Sequence, residues 1–69
     1  RLLIISHVVH YRYHGHEWAY GPYAREIELW ADLFPEVLIA SPLRQEAPPG
    51  DNIPFTHSNI SILPQWERG

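Results

Sequence analysis

Gly21-Pro22-Tyr23-Ala24-Arg25-Glu26-Ile27-Glu28-Leu29-Trp30-Ala31-Asp32-Leu33-Phe34, followed by Pro35-Glu36 and then Val37-Leu38-Ile39-Ala40, is the stretch that decides the fold. At about 3.6 residues per turn, Tyr23, Ile27, Trp30, Ala31 and Phe34 fall on one broad apolar stripe. Arg25, Glu28 and Asp32 cluster opposite, the pattern of a surface helix lying on a sheet. Pro22 suits the first helical position, where a missing N–H is no loss. Pro35 disfavours helical geometry at Phe34 and closes the element. The stretch therefore predicts a helix over 22–34 and a buried strand over 37–40.

Working outward, Leu2-Leu3-Ile4-Ile5 reads as a first buried strand, joined to the helix by a polar, His-rich loop from His7 to Tyr20. Two strands connected through a helix are expected to be parallel, with a right-handed crossover. Downstream, Ser41 to Ser58 turns polar and proline-rich, and Pro48-Pro49-Gly50-Asp51-Asn52 has the chemistry of a loop. Ile60-Ser61-Ile62-Leu63, ended by Pro64, is a short third strand. The expected fold is α/β, in the order strand, helix, strand, strand. In such folds ligands bind at loops leaving the carboxyl ends of strands.

Sixty-nine residues form one small domain, whose buried fraction is too low for more than marginal stability. There is no cysteine to add a disulfide, which fits a reducing, cytoplasmic setting. A net charge of -3, carried with five arginines and no lysine, argues against nucleic acid as a partner. The apolar runs fall far short of the ~20 residues that a membrane-spanning helix needs, and no signal peptide is visible. The chain opens directly on a strand and closes just after another apolar run, so residues 1–69 read as a truncated part of a larger domain. Strands this uniformly apolar are normally covered on both faces, yet there is one clear helix for three strands. One sheet face is expected to lack its cover, leaving the isolated unit poorly folded or prone to aggregate.

The segment between the first strand and the helix holds His7, His10, His14 and His16 with Tyr11, Arg12, Tyr13, Glu17, Trp18 and Tyr20. Imidazole is a common metal ligand, but the spacing matches no HExxH or Cys/His signature, and no metal is expected. A ligand loop is the stronger reading. Aromatic rings stack on sugar faces, His, Arg and Glu bond hydroxyls or phosphates, and Gly15 and Gly21 let backbone approach closely. The bland reading is a solvated loop packed on a neighbour. Gly21-Pro22 at a helix start has the makings of an anion site or of a simple cap. Without GxGxxG or GxxxxGK[ST], a dinucleotide is disfavoured. Glu26 borders the apolar stripe, where a carboxylate should pair or turn toward a crevice. Arg25 and Glu28 read as ordinary solvent-face charges. Asn59-Ile60-Ser61 matches a glycosylation acceptor pattern but falls where a strand begins, and is discounted.

The run from His7 to Pro42, HVVHYRYHGHEWAYGPYAREIELWADLFPEVLIASP, resembles the opening of a family-four GT-B glycosyltransferase. The matching parts are the strand at 2–6, the glycines Gly15 and Gly21, the segment Gly21–Glu26, the ending Trp30-Ala31-Asp32-Leu33-Phe34, and the strand from Val37. Where many members carry adjacent glycines, Pro22 follows Gly21 here. The resemblance implies the start of a Rossmann-like parallel sheet within an amino-terminal domain. It also implies a missing carboxyl-terminal domain, a nucleotide-sugar donor, a sugar or glycan acceptor, and no metal cofactor. On this reading Gly15, His16, Tyr20, Gly21 and Glu26 are the substrate-binding candidates, and no catalytic residue is singled out. The alternative is a small non-enzymatic α/β module whose aromatic, His-rich loop docks a partner.

Overall fold

The computed structural model describes residues 1–67. It is a small α/β domain with a mixed sheet of six strands and, among the described residues, one helix. Its elements are β1 (Leu2–Ile5), β2 (His10–Tyr13), β3 (His16–Tyr20), α1 (Gly21–Leu33), β4 (Val37–Arg44), β5 (Asn52–Pro54) and β6 (Ile60–Gln65). The helix and the strands at 2–5, 37–40 and 60–63 lie where the sequence places them. Among the described residues, no helix is long and apolar enough to cross a membrane.

β4 is the spine. It pairs in parallel with β1, Leu2 opposite Val37 through Ile5 opposite Ala40, and with β6, Val37 opposite Ile60 through Pro42 opposite Gln65. The parallel pairing expected of a helical connection is thus present. Side chains alternate across these strands. Val37, Ile39 and Ile60 are buried beneath α1, with Leu2, Ile4 and Ile62 packed against them. Leu3, Ile5 and Leu63 point the other way and are 55%, 78% and 48% exposed. The uncovered apolar face expected from the strand-to-helix ratio is therefore seen.

The expected His7–Tyr20 loop is largely a β-hairpin. β2 and β3 pair antiparallel with Tyr13 opposite His16, leaving a two-residue turn at His14-Gly15. Both turn residues have positive φ, 51° and 76°, the geometry whose twist suits a hairpin. Glycine takes that conformation without steric cost at the second position. The alternation of His10, Tyr11, Arg12 and Tyr13 hid the strand, because its outward residues are as polar as a loop. Arg12 and Glu17, opposite one another, form an ion pair at 3.0 Å. The hairpin joins the sheet at both sides, through β2 to the end of β4 (His10 opposite Leu43) and through β3 antiparallel to β5.

Two further expectations are corrected. The polar 41–58 segment contains the last residues of β4 and all of β5, both recruited by pairing with the hairpin. The buried stripe of α1 is Gly21, Ala24, Ile27 and Ala31, whereas Trp30 is 41% exposed and Tyr23 and Phe34 are half-buried. The small side chains let the helix sit close on the sheet, and the 55–59 segment claims its other flank.

Candidate functional site

The carboxyl ends of β1, β4 and β6 meet at one end of the sheet, as parallel strands must. A cleft of about 620 Å³ opens there. Its floor is apolar, from Ile5, Ala40 and Pro42, and Ser6, His7, Gln65, Trp66 and Glu67 line its walls. Trp66 is 97% exposed, a large ring presented to solvent at the mouth. Beside it Arg44 grips Glu67 through two parallel bonds, Nε to Oε1 at 2.8 Å and an Nη to Oε2 at 2.7 Å. This fork raises the Arg44 pKa and lowers that of Glu67, chiefly through the hydrogen bonds and then through charge. A planar ring, a carboxylate held from behind by Arg44, an amide and an imidazole around an apolar floor suit a polar ligand with one flat apolar face. Trp66, Gln65 and Glu67 were missed by the sequence reading. Their signal was an exposed tryptophan just beyond an apolar run, at the end of a parallel strand.

The five residues expected to bind substrate are not brought together there. Gly15 and His16 sit at the exposed tip of the hairpin, His16 Nδ1 lying 3.1 Å from the His14 carbonyl. Tyr20 is at the opposite end of β3, about 13 Å away at the usual rise of a strand. Gly21 is buried, and its N–H donates to the Asp51 carbonyl at 2.9 Å. A Cβ there would stand 3.3 Å from that same oxygen, so close packing on the 49–52 turn accounts for the glycine. With that N–H engaged and none on Pro22, the helix start offers an anion fewer donors than expected. Glu26 is exposed on the rim of a separate groove of about 350 Å³ between α1 and β1, lined by Leu2, Ile4, Tyr23, Ile27 and Trp30. The four histidines of the 7–20 segment are likewise dispersed, and no group of metal-ligating side chains is assembled among the described residues.

Glu28, read as a solvent-face charge, is instead the anchor of the segment after β5. Its carboxylate accepts from the Thr56 N–H, from the Thr56 hydroxyl at 3.1 Å and from the His57 N–H at 3.3 Å, and contacts His57 Nδ1. His57 Nε2 meets Asp32 at 2.6 Å. One turn of helix separates the two carboxylates, so both face the loop. Asn59 completes the attachment by donating to the Ala31 and Phe34 carbonyls, both at 2.9 Å, which satisfies helix-end acceptors left without partners.

The attachment holds Phe55 in the core, stacked on His10 with ring centroids 5.9 Å apart. His10 is fully buried, and Tyr23 packs on it edge-to-face at 5.3 Å. Burial lowers the His10 pKa below its ordinary 6.5, against smaller opposing effects of the Val8 carbonyl and the Glu17 charge. As pH falls below about 6.5 the unfolded chain takes up a proton that native His10 resists, so stability declines toward acid. The wild-type chain should therefore lose stability faster than His10→Phe as pH falls below about 6.5, by up to ~1.4 kcal/mol per pH unit. Urea unfolding at a series of pH values checks this; parallel curves for the two proteins would refute it.

No protein-family model matches this chain, and neither a curated protein nor a solved structure matches it.

Proposed function

We propose that this chain is the amino-terminal, Rossmann-like part of an enzyme that moves a sugar from a nucleotide-sugar donor to an acceptor hydroxyl. The observation that carries the reading is the exposed Trp66 ring at a cleft formed by the carboxyl ends of three parallel strands. A tryptophan face stacks on the C–H face of a pyranose, while Glu67, Gln65, Ser6 and His7 along the cleft offer partners to its hydroxyls. The reaction would be attack of the acceptor hydroxyl on the donor's anomeric carbon, the departing diphosphate being stabilised electrostatically. The second half of such a cleft, including the grip on the donor, belongs to a further domain. Resemblance of the 7–42 segment to family-four enzymes supports the same reading.

Methyl glucoside, standing for the acceptor sugar, is the probe, followed by tryptophan fluorescence and calorimetry. Saturable binding is expected, weakened roughly tenfold by Trp66→Ala on the usual worth of an aromatic contact. Because Trp66 is almost wholly exposed, the substitution should leave the unfolding midpoint unchanged. Absence of saturable binding, or binding indifferent to Trp66→Ala, would overturn the reading. The alternative is a non-enzymatic docking module, and the bare face of Leu3, Ile5 and Leu63, rather than the aromatic, His-rich segment first expected to dock a partner, favours it. It predicts that a charge placed there, as in Ile5→Glu, abolishes association while leaving sugar binding absent throughout.

A further inference from the structure

β1 lies at the edge of the sheet, and among the described residues it pairs with β4 and no other strand. The Leu2 N–H donates to the Glu36 carbonyl at 2.9 Å and the Ser6 N–H to the Ala40 carbonyl at 3.0 Å. The even-numbered residues of β1 therefore turn their backbone groups toward β4, and in a parallel pair the alternate residues turn theirs away. The N–H and C=O groups of Leu3 and Ile5 project from the free edge. Natural sheets guard such an edge with charge, proline, a bulge or a covering element. Leu2-Leu3-Ile4-Ile5 carries neither charge nor proline, and its register with β4 runs unbroken through all four residues.

Beside this edge runs the groove of about 350 Å³ between β1 and α1, given an apolar lining by Leu2, Ile4, Tyr23, Ile27 and Trp30. Glu26 stands at its rim, exposed and in no ion pair among the described residues. These features define an occupant. Backbone donors and acceptors two residues apart fit an extended chain and not a helix, whose own groups are already paired. Alternate side chains of that chain enter the apolar trough on the α1 side. A single carboxylate at the rim is complementary to one cationic side chain. A second copy of this chain fits less well. Reciprocal pairing of the Leu3 and Ile5 groups would set a twofold axis at Ile4 and bring both copies' Glu26 to one shared groove, like charge against like.

We propose that the free edge of β1 and this groove receive an extended segment of another polypeptide as an added strand, with apolar residues at alternate positions and a lysine or arginine that reaches Glu26. Pairing with the Leu3 and Ile5 backbone supplies affinity, and the trough with Glu26 supplies selectivity. The groove shares no lining residue with the Trp66 cleft, so the inference stands apart from the saccharide reading.

The probe is the peptide acetyl-Thr-Val-Thr-Lys-Thr-Val-Thr-amide, a palindrome that presents Val, Lys and Val on one face in either direction. Titrated into the protein and followed by amide NMR, it should give saturable shifts centred on β1 and Trp30, with hydrogen exchange slowed at the Leu3 and Ile5 amides. N-methylation of every second residue, in its two phases, blocks one backbone edge of the peptide at a time. One phase should abolish binding and the other keep it; equal effects of the two would overturn strand addition. Glu26→Lys should weaken the probe roughly fivefold, on the usual worth of an exposed ion pair, and exchanging the probe's lysine for glutamate should restore the loss. Indifference to both exchanges would overturn the assigned chemistry. Sedimentation without peptide tests the competing occupant. A monomer is expected, and a dimer that the probe dissociates would give the edge to a second copy and sink the proposal.

Discussion

Ile39→Ala is expected to leave much of the chain unfolded at room temperature. Ile39 is wholly buried at the centre of β4, with Ile4 opposite on one side and Ile62 on the other. Removing most of a buried isoleucine side chain costs roughly 2–5 kcal/mol, counting lost transfer energy and the cavity left behind. A chain of this length has only about 3–10 kcal/mol in total, on the usual stability per residue. The cavity cannot close readily, because β4 is held by backbone pairing on both edges. Far-UV circular dichroism and urea titration report the loss. A shift below about 1 kcal/mol would mean that the layer between α1 and the sheet is loosely packed.

Glu28→Ala should have the next largest effect, about 2–4 kcal/mol. Its carboxylate is only 17% exposed and satisfies two backbone N–H groups and a hydroxyl of the 56–57 segment as well as His57. Truncation removes all of these at once, and the freed segment no longer pins Phe55 over His10. Asp32→Asn is the control: Asp32 is 63% exposed and, among the described residues, its side chain bonds His57 and no other, so its loss should stay within about 1 kcal/mol. Limited proteolysis between Phe55 and Asn59 should accelerate sharply in Glu28→Ala and little in Asp32→Asn. Equal effects of the two would show that the bridge to His57, rather than the Glu28 carboxylate, holds the segment.

These two residues also mark what the sequence disclosed. Ile39 was legible because a four-residue apolar run flanked by a helix and a turn has few fates other than a buried parallel strand. Proline placement gave the helix ends, and the shortage of helices gave the bare face that Leu3 and Ile5 now display. Glu28 was not legible. On a helical wheel it lies opposite the apolar stripe, and nothing local says that a loop from residues 55–59 will come to rest on it. The hairpin was hidden in the same way, since strands with one wet face and several histidines carry no strong apolar alternation. Of the substrate candidates, Gly15, His16 and Tyr20 read as one loop, and Gly21 and Glu26 as the first turn of the helix that follows it. With that loop folded as two strands, Gly15 and His16 lie at the hairpin tip and Tyr20 at the far end of β3, beside the helix that carries Gly21 and Glu26. Trp66 and Glu67 gained their place from the strand that ends beside them, a relation visible only after β6 is paired.

The turn at His14-Gly15 has a kinetic consequence. Its hairpin closes over two residues, whereas joining β1 to β4 requires partners thirty-five positions apart, Leu2 with Val37. Hairpins form in about 1–10 μs, while pairing at long sequence separation is slower because loop closure must come first. The arm is thus the one part of the sheet that local chemistry alone can assemble early. With His10 at its base, opposite Leu43, it would present a ready edge on which the end of β4 aligns. What looked like an interruption between a strand and its helix is, in this order of events, a template.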